Sequence, residues 1–193
     1  RGPAAFIGHC TLPDPMPHPA INIATEAAHA AGEIMRRSLQ RLDTVPVARK
    51  ARHDYVSDVD RNAEQAIIDV IRKAYPGHAI LAEETGTHGG GDHQWIIDPL
   101  DGTTNYVHHL PFFTIAIALA VRGKIELGLV LNPMDGELYS AIAGKGAALN
   151  GNPIQVSSTA SVSDSLLVTG FPYDFSEIAE PAMKRFSVCQ QAS

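Results

Sequence analysis

Trp95-Ile96-Ile97-Asp98-Pro99-Leu100-Asp101-Gly102-Thr103-Thr104-Asn105 decides how the rest of this sequence is read. A short apolar strand runs into two aspartates spaced three apart, then a glycine and two threonines. Pro99 fixes a backbone angle between the two acids, which helps both carboxylates and the Leu100 carbonyl turn toward a common point. Gly102 permits close backbone approach, and Thr103-Thr104 can start a helix whose free N–H groups suit a phosphate. Alone, Asp-Pro-x-Asp-Gly is an ordinary turn. A second acid pair changes its weight: Glu83-Glu84 ends another short apolar strand, Ala79–Ala82. Two strand ends presenting carboxylates at one edge suit a hard divalent cation, and Mg²⁺ takes oxygen ligands in near-octahedral geometry.

Upstream, Ile23, Ala27, Ala31, Ile34 and Met35 recur at helical spacing, which predicts a helix from Ile21 to about Leu42. A turn at Val45-Pro46 follows, then a stretch carrying Lys50, Asp54 and Asp58. A second helix is expected from about Asp60, standing as N-cap or first-turn acid, to Ala74, where Pro76-Gly77 stops it. Downstream, Thr114 to Leu131 reads as two strands joined by a turn at Arg122-Gly123-Lys124, with Ile115, Ile117, Leu119 and Val121 in the core. Turns at Asn132 to Gly136 and at Asn150-Gly151 bracket further strands, Leu138 to Ile142 and Ile154 to Val156. Leu166 to Thr169 reads as one more strand, and Glu180 to Cys189 as a closing helix. Two helices feeding a largely antiparallel sheet give an α/β or α+β class.

Composition excludes several functions. An apolar fraction of 45% with a charged fraction of 19% is that of a globular protein, not a disordered tail or a coiled coil. A net charge of −6 argues against a protein whose main work is gripping nucleic-acid backbone. The longest apolar run, Ile115 to Val121, is far too short to span a bilayer, and no signal peptide is visible, so a cytoplasmic protein with no membrane partner is expected. Cys10 and Cys189 lie near opposite ends without ligand-like spacing and read as independent reduced thiols. Residues 1–15 precede Met16 in a proline-rich run and read as an extension that does not belong to the domain. Adjacent His108-His109 chelate poorly together and read as loop packing. Gly89-Gly90-Gly91 lacks a dinucleotide-binding context and reads as a loop after the acids.

The WIIDPLDGTTN string resembles the signature of the inositol monophosphatase family of Mg²⁺-dependent phosphomonoesterases. His53-Asp54-Tyr55-Val56-Ser57-Asp58-Val59-Asp60 resembles the family's earlier segment, and Leu81-Ala82-Glu83-Glu84 its strand ending in acids. Asn105-Tyr106-Val107-His108 through Pro111 is similar to the monophosphatase branch rather than to its bisphosphatase and nucleotide-phosphatase relatives. The resemblance runs from about Met16 to the end and implies a layered αβαβα sandwich.

That resemblance also implies roles. Glu83, Asp98 and the Leu100 carbonyl match ligands of a first Mg²⁺. Asp98 and Asp101 match ligands of a second, and Glu83 also touches a third, weaker site. Thr103 and Asp60 match the pair that orients the attacking water, which makes Asp60, Thr103 and Glu83 the catalytic candidates. The backbone at Gly102-Thr103, with Asp101 and Thr104 beside it, matches the phosphate cradle. Lys50 corresponds to a mobile-loop lysine, and Glu84 reads as a supporting or structural acid. No Cys or Ser stands in a nucleophilic motif, and none is needed: phosphomonoester hydrolysis asks for charge neutralisation, an aligned water and leaving-group stabilisation.

The implied activity is hydrolysis of myo-inositol 1-phosphate, with Li⁺ inhibition and a homodimer. The alternatives are a fructose bisphosphate, histidinol phosphate or adenosine bisphosphate phosphatase of the same superfamily, or a regulatory protein binding the transcription and RNA machinery, as the extragenic-suppressor relatives do. The family's later Trp-Asp-x-Ala-Ala-Gly motif, whose Asp completes the second metal site, does not occur before Ser193. Residues 16–193 are therefore expected to be the front two-thirds of such a domain, with weak second-metal binding.

Overall fold

The computed structural model describes residues 18–42, 49–171 and 175–192, with the side chains of 49–55 and 175–178 excepted. The chain divides into two compact units, Arg1–Ile154 and Gln155–Ser193.

The first unit opens with two long helices, α1 (Pro19–Leu42) and α2 (Arg49–Ala74). Ala24, Ala27, Ala28, Ala31 and Met35 form the buried stripe of α1, and such small side chains let neighbouring elements approach closely. α2 buries Val56, Val59, Ala63, Ile67 and Ile71. The expected helical faces are therefore the ones that pack. The expected start of α2 at Asp60 needs correction, because the helix begins at Arg49 and takes in the whole stretch carrying Lys50, Asp54 and Asp58. Its polar first half has no apolar periodicity to announce it. Asp60 thus sits in mid-helix, where its side chain has no cap to make. The Val45-Pro46 turn and the extension at 1–15 lie outside the described residues, as does the side chain of Lys50.

Eight strands follow: β1 (Ala79–Ala82), β2 (Gly86–His88), β3 (His93–Asp101), β4 (Thr114–Val121), β5 (Lys124–Asn132), β6 (Glu137–Ile142), β7 (Gly146–Leu149) and β8 (Asn152–Ile154). A short helix, α3 (Thr103–Val107), interrupts them after β3. They form one sheet in the order β2-β1-β3-β4-β5-β6-β7-β8. All neighbours are antiparallel except β1 and β3. The turns at Arg122-Gly123 and Asn150-Gly151 both have left-handed backbone at each residue, the signature of two-residue hairpin loops. β2, among glycines and only three residues long, has no counterpart in the expected strands.

One sheet face supplies the core. Trp95 and Ile97 from β3, Ile115, Ile117 and Leu119 from β4, and Leu127, Leu129 and Leu131 from β5 are all buried in one cluster with the helix stripes. Burying each such side chain contributes about 1.5–3 kcal/mol. The buried Trp95 indole donates to Nδ1 of His78 at 3.1 Å, and His78 stacks between Tyr75 and His93 with ring centroids 4.6 Å away on either side. Tyr106 of α3 reaches across to α1, its hydroxyl donating to the Met35 carbonyl at 2.9 Å. The opposite sheet face, with Ala116, Ala118, Gly128 and Val130, is more open. The α/β class with a largely antiparallel sheet holds, and the first unit supplies a helix layer and a sheet layer of the expected succession.

The described residues of the second unit include a 3-10 turn, Val162–Asp164, and helix α4 (Phe175–Ala192). Leu166 to Thr169, expected as a strand, pair with no sheet, and Leu166 and Val168 stand almost fully exposed. α4 starts earlier than the expected Glu180, because it runs through Pro181 instead of opening there. Phe171 meets Phe186 of α4 edge-on at 6.2 Å. Cys189 is a free, exposed thiol, and Cys10 lies outside the described residues.

Candidate functional site

The parallel strand pair β1–β3 builds the site. In the β1–β3 register Ala82 stands opposite Ile97, and the Glu83 N–H donates to the Ile97 carbonyl at 3.2 Å. Glu83 and Asp98 therefore emerge side by side at the carboxyl ends of adjacent strands, the position where open α/β sheets place their ligands. A register shift between Asp98 and Asp101 lifts the chain out of the β3–β4 ladder. Pro99 has no N–H to give the ladder, and the Leu100 N–H turns back onto Asp98 Oδ1 at 3.2 Å. The bulge is what aims Asp98, Leu100 and Asp101 as a group.

Gly102 then takes a φ of +91°, and a Cβ at this position would stand 2.9 Å from the Phe112 carbonyl oxygen. Only glycine suits both the angle and the space. α3 begins at Thr103 as expected. The Thr103 hydroxyl donates to the Leu100 carbonyl at 3.1 Å, so it is not bonded to Asp60 here. Thr103 and Thr104 are exposed and Asp101 faces solvent beside them. His108 and His109 follow in the turn after α3, where His109 has a positive φ, in keeping with a loop role.

α2 supplies two further acids. Asp60 is only 6% exposed, and its Oδ1 is buried with no hydrogen-bond partner. Burial, followed by the charges of Glu84, Glu83, Asp98 and Glu64, pushes its carboxyl up to about 7. Glu64, one turn further along the same face, is wholly buried. It accepts the Glu84 N–H at 2.8 Å and the Thr85 N–H at 3.0 Å, one on each carboxylate oxygen. Sequence reasoning passed over Glu64; the available signal was its i, i+4 spacing from Asp60 on a helix face otherwise made of Val56, Val59, Ala63 and Ile67. Glu84 pairs with α2, its Oε2 lying 3.7 Å from Arg61 Nε.

Charge is concentrated here. Partial burial, the Asp98 charge and a hydrogen bond shared with Asp98 push the Glu83 carboxyl up to about 7. Burial is the largest of these causes, and the charges of Glu84 and Asp101 add to it. Burial also raises Asp98, while the Glu83 hydrogen bond and the Leu100 N–H pull it back down. On balance Asp98, like Glu83, stands above its ordinary value.

Among the described residues, no three His, Cys, Asp or Glu side chains stand close enough together, as they lie, to enclose an ion. The donor set nevertheless fits a hard cation. Every candidate atom is an oxygen, Asp60 Oδ1 is an orphaned buried acceptor, and the neighbouring carboxylates at Glu83 and Asp98 concentrate negative charge that a cation would neutralise. The structure thus brings Glu83, Asp98, Leu100 and Asp101 together at one strand edge with Asp60 facing them from α2. No helix of the described residues is long and apolar enough to cross a membrane.

Residues 16–184 match the inositol monophosphatase family. The Nus factor SuhB of Pseudomonas aeruginosa is 48% identical over 164 residues, which cover 83% of this chain and 60% of that protein. The Nus factor SuhB of Escherichia coli is 43% identical, over 84% of this chain and 61% of that protein. Among solved structures, the inositol monophosphatase of Anabaena superposes with a TM-score of 0.71 at 41% identity, covering 82% of this chain and 57% of that one. The extragenic suppressor protein suhB of Bartonella henselae gives 0.72 at 38% identity, over 80% and 60%. The chain spans about 60% of the length of these curated relatives.

Proposed function

The chain belongs to the inositol monophosphatase family, and from that membership we propose that the protein it comes from is a Mg²⁺-dependent phosphomonoesterase acting on myo-inositol 1-phosphate or a related polyol phosphate. The observation that carries this is the placement of Glu83 and Asp98 side by side at the carboxyl ends of the parallel strands, faced by Asp60, whose buried Oδ1 has no hydrogen-bond partner.

Glu83, Asp98 and the Leu100 carbonyl would hold the first Mg²⁺, with Asp98 and Asp101 contributing to a second. When bound, the metal neutralises phosphoryl charge and lowers the pKa of a coordinated water. The chain's own groups do the rest. The Gly102 and Thr103 backbone N–H groups would take the phosphate, and Thr104 lies exposed beside them. Rotation of the Thr103 side chain off the Leu100 carbonyl frees its hydroxyl to pair with Asp60 and hold a water in line. Asp60, whose buried Oδ1 has no hydrogen-bond partner, can accept that water's proton. Supporting this reading are the all-oxygen donor set and the family's phosphatase character.

A second reading, a regulatory protein contacting the transcription machinery, is favoured by one finding: the curated relatives are named Nus factor SuhB. Assaying the complete protein on inositol 1-phosphate with and without Mg²⁺, and then with Li⁺, separates the two. The phosphatase reading expects turnover that requires Mg²⁺ and falls with Li⁺. No phosphate release from inositol 1-phosphate or from other polyol phosphates at any Mg²⁺ concentration overturns it and leaves the regulatory reading. The expected homodimer and cytoplasmic location belong to the same proposal.

A further inference from the structure

Glu64 has no place in the chemistry proposed above, yet it is an acidic side chain with no exposed surface in the middle of an acidic site. Burying a carboxylate is costly unless its lone pairs are used. Here they are: Oε2 takes the Glu84 N–H at 2.8 Å and Oε1 takes the Thr85 N–H at 3.0 Å. Those two amides begin the turn between β1 and β2, immediately after Glu83. β1 is only four residues long and β2 three, so their ladder alone defines the turn weakly. Arg61, one residue beyond Asp60, draws the Glu84 side chain to α2 from the same side, at 3.7 Å. Glu83 is thereby held between two fixed points, its own N–H on Ile97 and the next two N–H groups on Glu64.

We infer that Glu64 is a positioning residue for the cation site: its two-pronged grip on the Glu84 and Thr85 amides fixes the β1–β2 turn so that Glu83 faces Asp98. The inference rests on the Mg²⁺ reading of the site. It assigns α2 a double role, with Asp60 facing the reaction and Glu64 one turn away holding the strand end. Charge-assisted bonds from backbone N–H groups to a carboxylate are short and strong, which suits a clamp that has to resist repulsion from neighbouring acids.

The test uses Glu64→Gln, which keeps the shape but offers one acceptor where two are needed. Leu127→Val, a buried β5 position remote from the site, serves as a control for lost stability. In the metal-free chain, hydrogen exchange at the Glu84 and Thr85 amides should speed up at least about tenfold in Glu64→Gln, since a lost bond worth 1.4 kcal/mol is tenfold in an opening equilibrium. Calorimetric titration with Mg²⁺ should show affinity reduced by about 10- to 100-fold, the usual loss when a ligand-orienting partner is removed. Leu127→Val should leave both readings as in the parent chain. Unchanged exchange at the two amides overturns the clamp. Faster exchange with Mg²⁺ affinity within twofold of the parent overturns the positioning role. If Asp98→Asn also binds Mg²⁺ as the parent does, the site reading itself is what has failed.

Discussion

Asp60→Asn should stabilise the metal-free protein, and only above the acidic range. In the folded chain burial and four neighbouring acids hold the Asp60 carboxyl at about 7, against an ordinary value of 3.8. Between those two pH values the folded state keeps a proton that the unfolded chain releases. Stability from this group is therefore present at low pH and lost as pH rises toward 7, after which the loss is constant. A displacement of about three units corresponds to roughly 4 kcal/mol at most, at 1.36 kcal/mol per unit. Relaxation and water entry, together with imperfect accommodation of the amide, leave an expected gain of about 2 kcal/mol. For a chain of this size that is a rise in Tm of about 4–8 °C at pH 8. At pH 4, where Asp60 already carries its proton when folded, the two proteins should melt within about 1 °C of each other on the same scale. Thermal unfolding in EDTA at pH 4, 6 and 8 reads this directly. A destabilised variant at pH 8, or a difference that does not change with pH, refutes the account of Asp60 as a carboxyl ionised against its surroundings.

Three further outcomes follow from the same geometry. Gly102→Ala should lower stability by about 2–4 kcal/mol, since it combines a disfavoured backbone angle with a Cβ 2.9 Å from the Phe112 carbonyl oxygen; a urea midpoint equal to the parent's would contradict it. Tyr106→Phe removes the hydroxyl that donates to the buried Met35 carbonyl and should cost about 1–2 kcal/mol, read as a lower urea midpoint at unchanged slope. Burial and then His93 hold His78 below its usual 6.5, so the folded protein keeps the ring neutral where the unfolded chain protonates. Its stabilising contribution is present above pH 6.5 and lost as pH falls below it. Fluorescence of Trp95, the sole tryptophan, should report a lower urea midpoint at pH 5.5 than at 7.5, with His78→Phe removing that part of the difference.

How much of this was legible in the sequence depends on whether a feature is local. Asp98-Pro99-Leu100-Asp101-Gly102 carries its own geometry, because a proline outside the ladder and a glycine at positive φ dictate a bulge and a tight turn wherever they fall. The two hairpin turns were legible for the same reason. Periodicity found the buried faces of α1 and of the second half of α2, but it was silent on the polar half of α2 from Arg49, which tertiary packing and not pattern makes helical. That silence put Asp60 at a helix start and hid the relation between Asp60 and Glu64. The pairing of Glu83 with Asp98 depends on β1 and β3 lying parallel and in register, a non-local fact that two short apolar runs do not encode. Leu166 to Thr169 shows the converse: a strand-like apolar run has no strand without an edge to pair with, and none is present among the described residues of its own unit.

The central claim is that Glu83, Asp98 and Leu100 form an oxygen-lined cation site. A crystal of the protein soaked in Mn²⁺, which mimics Mg²⁺ and scatters anomalously, tests it most directly. The account predicts an anomalous peak within about 2.0–2.4 Å of the Glu83 and Asp98 carboxylates and the Leu100 carbonyl oxygen, as hard-cation coordination requires. A map with Mn²⁺ bound elsewhere, or with no peak at this strand edge in saturating metal, would contradict it.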